Sequence, residues 1–373
     1  MHDRAKQALR AYASSAMRHA PSSAILALML FAVPAHAIDS IQVNGFALLR
    51  PQTPSTGVPL DDDSLSAQVQ VGIDWRPSVT FGSHIHLLAR NEADGSRRGR
   101  VGVVEAFLEQ NFTLGSSNRV HVMEGAFFLP GSRENIDSLW ESPYSITSSA
   151  LNSWMGEEFR PIGVDASVAH KTQRTGVFGG GVTVFTGNDT FGALPIDRGW
   201  ALRDHWALLG EHIPVNATLF TSVSAENDHR LGWSARTRWS NDVANVQLTR
   251  IDNRSDALRY GELFNWATRF NIAGADYTWR DWTAAAETGW GSTAIQGRRR
   301  FSAPIRASYL LVSKRIAKVR ASVRVEQYQA STNHGHAVTA ALFWEPRRQM
   351  RAGVEGIAAD GEKRLAVELR YSF

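Results

Sequence analysis

The sequence lacks cysteine altogether, and beyond residue 37 it lacks any apolar run close to the roughly 20 residues that a membrane-spanning helix needs. The first absence excludes a fold held by disulfides, so hydrogen bonding and burial must stabilise the chain. The second excludes spanning helices but not spanning strands, because only alternate residues of a barrel strand touch lipid. Composition therefore leaves soluble β proteins and membrane β-barrels as the open classes.

The N-terminus has the pattern of an export leader. An apolar run over residues 24–33 and the small-residue site Ala35-His36-Ala37 follow a basic segment that contains Arg4, Lys6, Arg10 and Arg18. This order predicts a secretory signal peptide over residues 1–37, cleaved before Ile38. The leader holds four of the 40 basic and one of the 36 acidic residues, so the exported chain is nearly neutral. The high isoelectric point therefore gives no indication of a nucleic-acid partner.

The last residues of the chain alternate between apolar and polar side chains. The apolar positions are Leu365, Val367, Leu369, Tyr371 and Phe373. Alternation with period two predicts a strand whose two faces meet different surroundings. In a membrane barrel the apolar face meets lipid and the polar face meets a wet interior.

Similar segments recur along the whole chain. We predict eighteen strands, at 41–49, 66–76, 78–90, 101–113, 119–128, 160–170, 175–186, 201–213, 215–227, 229–240, 243–252, 265–280, 282–293, 301–314, 317–330, 336–346, 348–359 and 363–373. Connections after even-numbered strands are short and those after odd-numbered strands are mostly long, which is typical of outer-membrane barrels. The tight link at 226–229 and the long stretch at 265–280 leave a count of sixteen open.

Tryptophans support the same interpretation. Trp75, Trp239, Trp279, Trp282 and Trp344 fall beside the short connections, and Trp233, Trp266 and Trp290 fall toward the other end. Two aromatic belts at the lipid–water boundaries are expected of a membrane barrel. We therefore predict an all-β fold, a transmembrane antiparallel up-and-down β-barrel of 16–18 strands with eighteen as the best count, over residues 38–373. The alternating C-terminus closed by Phe373 also resembles the assembly signal of bacterial outer-membrane barrels.

A second resemblance covers residues 122–167. Its features are Glu124, Phe128 and Pro130 at the end of one strand, Ser148 and Ser149 in a loop, and Pro161-Ile162-Gly163-Val164 at the restart. This stretch resembles the strand–loop–strand region of porins of the phosphate-selective type. The resemblance implies a bacterial outer-membrane porin, although the family's basic phosphate site cannot be assigned to individual positions here.

The longest predicted loop, residues 129–159, is the first candidate for function. Long loops in compact folds are commonly functional, and we predict that this one folds inward as a constriction loop. A capping box at Ser138–Glu141 predicts a short helix within it. Its acidic residues are Glu134, Asp137, Glu141, Glu157 and Glu158.

The second candidate is a basic wall on the inward face of the later strands. Residues 301–373 hold 12 basic and 6 acidic side chains, and the predicted wall comprises Arg236, Arg238, Arg250, Arg269, Arg306, Lys318, Arg320, Arg324 and Arg370. An acidic loop opposite such a wall would set a transverse field across the lumen and favour anions. The alternative is that these arginines are lumen residues paired with Glu326, Glu345, Glu355 and Glu368.

These features predict an outer-membrane porin, a passive diffusion channel for small hydrophilic solutes or ions, without catalysis, cofactor or metal. The inward pair His84 and His86 has metal-ligand spacing but no evident third ligand. The expected partners are the lipid bilayer, the outer-membrane assembly machinery, the solutes and, by analogy with porins, two further copies in a homotrimer. The alternatives are a lipase-like barrel enzyme and a structural or adhesive surface barrel.

Overall fold

The structure is a computed structural model that describes residues 40–53, 65–91, 99–197, 206–215, 220–297, 300–331, 333–359 and 362–373. The predicted signal peptide, residues 1–37, lies outside this range. None of the described helices is long and apolar enough to cross a membrane.

Strands dominate the described chain. They are β1 (Ser40–Pro51), β2 (Leu65–Arg76), β3 (Phe81–Arg90), β4 (Val101–Leu114), β5 (Asn118–Ala126), β6 (Ile162–Lys171), β7 (Val177–Thr186), β8 (His212–Pro214), β9 (Phe220–Ser222), β10 (Gly232–Ser240), β11 (Ala244–Asp252), β12 (Arg259–Tyr260), β13 (Leu263–Phe264), β14 (Ala267–Trp279), β15 (Trp282–Gln296), β16 (Arg300–Ile316), β17 (Val319–Ala330), β18 (Asn333–Arg347), β19 (Met350–Ala359) and β20 (Glu362–Ser372). Helix α1 spans Ala150–Glu158, helix α2 spans Ala193–Asp197, and a 3-10 turn spans Ser138–Trp140.

Sixteen of these strands form one closed antiparallel barrel, in which each strand pairs with the next one along the chain among β1–β7, β10, β11 and β14–β20. The C-terminal strand closes it, because β20 pairs with β1 and Leu49 lies opposite Leu369. Beyond that ladder, Gly45 and Phe373 exchange two backbone hydrogen bonds of 3.1 and 3.0 Å. The alternating C-terminal stretch is thus the strand that completes the barrel.

The alternating side chains point in the predicted directions, with the apolar residues outward. Leu310, Val323 and Leu342 on three adjacent strands are each about half exposed on the outer face. Their sequence neighbours on the inner face, such as Leu311 and Arg324, are almost fully buried. Apolar side chains therefore cover the outside of the barrel, as they do where lipid is the solvent.

The best count of eighteen strands is wrong. The predicted strands 201–213 and 215–227 are not part of the barrel, and their described portions contribute only β8 and β9, which form a small sheet with β12 and β13. A barrel strand exposes every second residue, but the consecutive residues Trp206, Ala207 and Leu208 are all buried. Their apolar side chains face a protein core inside the loops and not lipid.

The two ends of the barrel differ. One end carries tight connections such as 241–243, 280–281 and 317–318, and we call it the tight-turn end. The other, the long-loop end, carries the β5–β6 loop (residues 127–161) and the β7–β10 loop (residues 187–231). The predicted belt tryptophans Trp279 and Trp344 are exposed at the tight-turn end, whereas Trp266 is buried in a loop core and belongs to no belt.

Candidate functional site

The β5–β6 loop is held by carboxylates on the inner face of the barrel. Glu355 of β19 accepts hydrogen bonds from the backbone N–H groups of Ile146 at 2.6 Å and Thr147 at 3.1 Å. Glu326 of β17 accepts one from the N–H of Ala150 at 2.9 Å, at the start of α1. Backbone N–H groups of the loop thus supply hydrogen bonds to carboxylates that are buried on the inner face of the barrel.

Arg324 is the cationic centre of this contact. Its guanidinium group donates to the carboxylates of Glu134 and Glu326 and, at 2.7 Å, to the carbonyl oxygen of Thr147. The Arg324 side chain is only 1 % exposed. Arg324 and Glu134 were predicted on opposite sides of a wet constriction, but they form a buried ion pair. Such a pair fixes the position of a loop more directly than it affects a solute.

A second ionic cluster lies nearer the tight-turn end. The carboxylate of Glu368 lies between three guanidinium groups, and the nitrogen–oxygen distances are 2.6 Å to Arg50, 2.7 Å to Arg351 and 3.2 Å to Arg370. Arg370 also donates to Glu141 of the loop at 2.9 Å. The loop acids Glu134 and Glu141 therefore pair with two residues of the predicted wall, Arg324 and Arg370, and do not stand across the lumen from them.

Helix α1 begins later than the sequence predicted. The capping box at Ser138–Glu141 yields only the 3-10 turn, in which no side chain caps the first turn and Leu139 has a φ of 58°. The helix starts instead after Ser149, whose side chain accepts from the N–H of Asn152 at 3.3 Å. The helix cap is thus supplied by a serine and not by the predicted box.

The β7–β10 loop packs against the end of α1. Glu158 accepts hydrogen bonds from the N–H groups of Gly192 at 3.0 Å and Ala193 at 3.2 Å and from the hydroxyl of Thr221 at 2.6 Å. Burial raises the pKa of Glu158 to about 7, although these hydrogen bonds oppose the shift. Glu157 is buried beside it. The three remaining acidic loop residues thus differ, since Glu157 and Glu158 are buried at the junction of the two loops and Asp137 is exposed at the tight-turn end.

Arg160, which the sequence reasoning did not single out, is the counterpart of Glu158 at this junction. Its guanidinium donates to the carbonyl oxygens of Val104 at 2.9 Å and Ala207 at 3.4 Å, and it lies 3.4 Å from the centroid of the Phe128 ring. Burial lowers the pKa of Arg160 to about 9. The residue thus ties β4 and both loops together through backbone acceptors.

The inner surface of β6, β7 and β10 is different, and we call it the open side. Ser167 and Gly181 are half-buried there, and Lys171 and Arg238 are exposed. Arg236 makes a two-pronged ion pair with Asp165. Arg238 has no ion pair among the described residues. The charged groups that interact with it, Arg236 and Arg133, are also positive. Exposed positive charge therefore lines this part of the barrel interior.

Glycines on β7 leave room for these arginines. A Cβ atom on Gly181 would lie 2.8 Å from the guanidinium carbon of Arg236, and one on Gly179 would lie 2.8 Å from Nε of Arg238. The glycine run 179–181 therefore allows the close approach of two arginine side chains on the neighbouring strand.

The predicted basic wall separates into three groups. Five of its residues point inward, namely Arg236, Arg238, Arg320, Arg324 and Arg370. Lys318 lies at the mouth of the barrel at the tight-turn end, where its Nζ donates to the carbonyl oxygen of Pro346 at 2.9 Å. The prediction of an inward orientation is wrong for the other three, Arg250, Arg269 and Arg306. Each shares its face with exposed apolar residues of the same strand, such as Leu248, Tyr277 and Leu310.

The alternative left open by the sequence, pairing of the wall arginines with strand carboxylates, holds at two positions, where Glu326 pairs with Arg324 and Glu368 with Arg370. Glu345 pairs at 2.6 Å with Arg315, which is not part of the predicted wall. Glu355 binds loop backbone instead. The inward histidines also have partners that the sequence reasoning missed, because Nδ1 of His84 lies 2.9 Å from Asp74 and Nδ1 of His86 lies 3.7 Å from Glu105.

Solved structures similar to this chain include outer-membrane proteins. A loop-deletion mutant of the outer-membrane protein OmpT of Vibrio cholerae matches with a TM-score of 0.56 and 9% identity, over 90% of this chain and 99% of that chain. OmpF of Salmonella typhi, in complex with daunomycin, matches with a TM-score of 0.57 and 11% identity, over 90% and 98%. A mutant of the Rh. blastica porin matches with a TM-score of 0.50 and 12% identity, over 90% and 100%.

The chain folds as a porin-like barrel. At identities this low the likeness shows the fold alone. No protein-family profile and no curated protein matches the sequence.

Proposed function

We propose that this protein is an outer-membrane porin that lets small hydrophilic solutes diffuse passively and prefers anions. The observation that carries the proposal is the open side, where Arg238 and Lys171 are exposed on an inner surface without a described ion pair. Fixed cations on a lumen wall raise the local concentration of anions. No catalytic step or cofactor is needed for this function.

The β5–β6 loop is the proposed constriction. Its hydrogen bonds to Glu326 and Glu355 attach it to the inner face of β17 and β19. A loop attached there would leave β6, β7 and β10 to line the remaining passage. Solutes would therefore pass along the arginines of β10 and not along Arg324.

Location and assembly are part of the same proposal. A leader over residues 1–37 would export the chain, and the tight-turn end would face the periplasm, as short turns do in this class of barrel. OmpT of Vibrio cholerae, a protein of the same fold, has been solved in a trimer form. We propose a trimer here by that analogy. Selectivity for phosphate, suggested by the resemblance over residues 122–167, remains a prediction.

A second candidate is a structural barrel with a closed lumen. It is favoured by the number of charged inner side chains that the loops bury, among them Arg50, Arg324 and Glu368. The two candidates differ in whether purified protein conducts.

Planar-bilayer recording tests both. The proposal predicts discrete channels whose reversal potential in a KCl gradient indicates anion preference. Arg238→Glu should shift that potential toward cation preference, because it replaces the exposed cation by an anion. Lys314→Gln, a change on the outer face at the tight-turn end, is the matched control and should leave the potential unchanged. Absence of channels would favour the closed barrel, and an unchanged potential in Arg238→Glu would refute the assigned pathway.

A further inference from the structure

The outer face of the barrel carries a polar patch next to its apolar surface. Two rows of register-paired residues cross β15–β18 there, and the outer patch is defined by Trp290, Arg306, Ser308, Gln327, Gln329 and His336. Each of these residues shares its face with the exposed Leu310, Val325 or Val338 of the same strands or their neighbours. The patch is therefore on the side of the wall that lipid covers and not on the lumen side.

The position of the outer patch along the barrel strands places the patch at a membrane boundary. On β17 the outward residues from Val319 to Val325 are apolar, and these six steps of strand cover roughly 20 Å along its axis. The next outward residues toward the long-loop end are Gln327 and Gln329. A strand tilted by about 45° needs roughly 9–11 residues to cross the hydrocarbon. The row of Arg306 and Gln329 lies ten steps from Val319, roughly 33 Å along the strand, so this row of the patch lies where the hydrocarbon ends. With the tight turns facing the periplasm, that boundary is the outer leaflet.

The chemistry of the patch suits a phosphate group. A cavity of about 680 Å³ is formed there, and none of the described residues that line it is acidic. Arg306 is exposed and has no ion pair among the residues that the structure describes. A guanidinium group offers parallel donors that match two oxygens of a phosphate, and the hydroxyl and amide groups beside it add neutral donors. Trp290, 41% exposed, is of the residue type that lies at headgroup level.

The outward-facing charges around the patch also favour an anionic ligand. On β11, β14 and β16, the outward positions at or above this height include Arg250, Arg269, Arg300 and Arg306, against the single described carboxylate Asp252. Asp252 neutralises only Arg269, at 3.2 Å. Arg250 donates to Asn271 at 2.8 Å, and Asn271 in turn donates to the carbonyl oxygen of Trp290 at 3.2 Å, which links this arginine to the patch. Outward arginines are costly in mid-membrane but not near a headgroup layer, so their position at and beyond this boundary favours an anionic headgroup.

We propose that the outer patch is a binding site for the phosphate group of an outer-leaflet glycolipid, with Arg306 as its central contact. The site is separate from the lumen and does not depend on whether the barrel conducts. It also gives a role to Arg306 and Arg250, two outward arginines that a lumen function leaves without one.

Binding of diphosphoryl lipid A to the purified full-length protein in detergent, followed by native mass spectrometry, tests the proposal. The unmodified protein should retain bound lipid. In Arg306→Gln the affinity for the lipid should fall roughly tenfold or more, because a charge-assisted hydrogen bond is lost. Lys314→Gln, on the same strand and face but at the other end of the apolar band, should bind as the unmodified protein does.

Four results would overturn the proposal. Arg306→Gln could bind lipid A as tightly as the unmodified protein does. Inorganic phosphate at equal concentration could displace lipid A from the unmodified protein. A dephosphorylated lipid A could bind the unmodified protein equally well, and this comparison remains decisive if Arg306→Gln does not fold. Finally, Arg306→Gln could change the oligomer mass without any lipid present, which would make the patch an interface between copies of this chain.

Discussion

The two sides of the barrel interior are built from similar residues but differ in what covers them. On β17, β19 and β20, Arg324, Glu355 and Glu368 are almost fully buried because the β5–β6 loop lies against them. On β6 and β10, Lys171 and Arg238 face inward in the same alternation and stay exposed. A charged residue on an inner barrel face is thus a loop anchor or a lumen residue according to whether loop donors and acceptors reach it.

Removal of Arg324 should have the largest effect. Arg324→Ala leaves Glu134 and Glu326 buried without their cation, and breaking a buried pair of this kind costs about 3–5 kcal/mol. We expect a lower urea midpoint for unfolding in detergent, together with a larger single-channel conductance as the loop loosens. Arg238→Ala is the control on the open side and should change stability by no more than about 0.5 kcal/mol. Equal midpoints in the two variants would contradict the distinction between the sides.

Protonation of Glu158 should give the next largest effect. The folded chain holds this proton up to about pH 7, whereas an exposed glutamate releases it near pH 4.5. Folding therefore takes up a proton between these values, and the free energy of unfolding falls as pH rises through this window and levels off above it. The loss amounts to at most about 3 kcal/mol.

Glu158→Gln should remove the pH-dependent loss of unfolding free energy that Glu158 causes. The variant should therefore be more stable than the unmodified chain at pH 8 but not at pH 4. Asp189, whose pKa burial also raises to about 7, is present in both proteins and cancels in their difference. Urea unfolding at the two pH values measures that difference. A constant difference would mean that Glu158 is ionised in the folded chain throughout.

A pair of glycine substitutions on β7 should give the smallest effect. In Gly181→Ala the new Cβ meets the Arg236 guanidinium and must displace it from Asp165, at a cost of roughly 1 kcal/mol. Gly180 points outward, where the nearest atom to a new Cβ is the Arg236 carbonyl oxygen at 3.5 Å, so Gly180→Ala should be tolerated. Unfolding midpoints and conductance compare the two. A larger loss in Gly180→Ala would contradict the assignment of the inner face of β7.

The sequence predicted the barrel because alternation is a local property. Each outward residue such as Val323 or Leu342 lies on the exposed apolar face of its own strand whatever the rest of the chain does, so the period of two is kept along the barrel strands. The same reasoning failed over the described residues 206–215 and 220–227, where apolar residues such as Trp206, Leu208 and Val223 lie in a protein core. Burial on both faces cannot be read from a pattern that records only which residues are apolar.

The site was less predictable than the fold. The sequence indicated that Glu134 and Arg324 are important, but not that they form a pair, because 190 residues separate them. The role of Arg160 was not indicated by the sequence, since its long-range partners are backbone carbonyl groups of two distant segments. Arg306 was placed on the wrong face because basic residues were assumed to point inward, although its parity with Leu310 and Val312 already indicated the outside.

Accessibility of single cysteines tests the division of the interior most directly, and the chain has no native cysteine to interfere. Ser167 on the open side and Ser322 under the loop are small, inward-facing and suited to replacement. In bilayers or detergent, Ser167→Cys should react rapidly with a charged methanethiosulfonate reagent, whereas Ser322→Cys should be protected until the protein is unfolded. Equal reaction rates at the two positions, or faster reaction at position 322, would contradict the account.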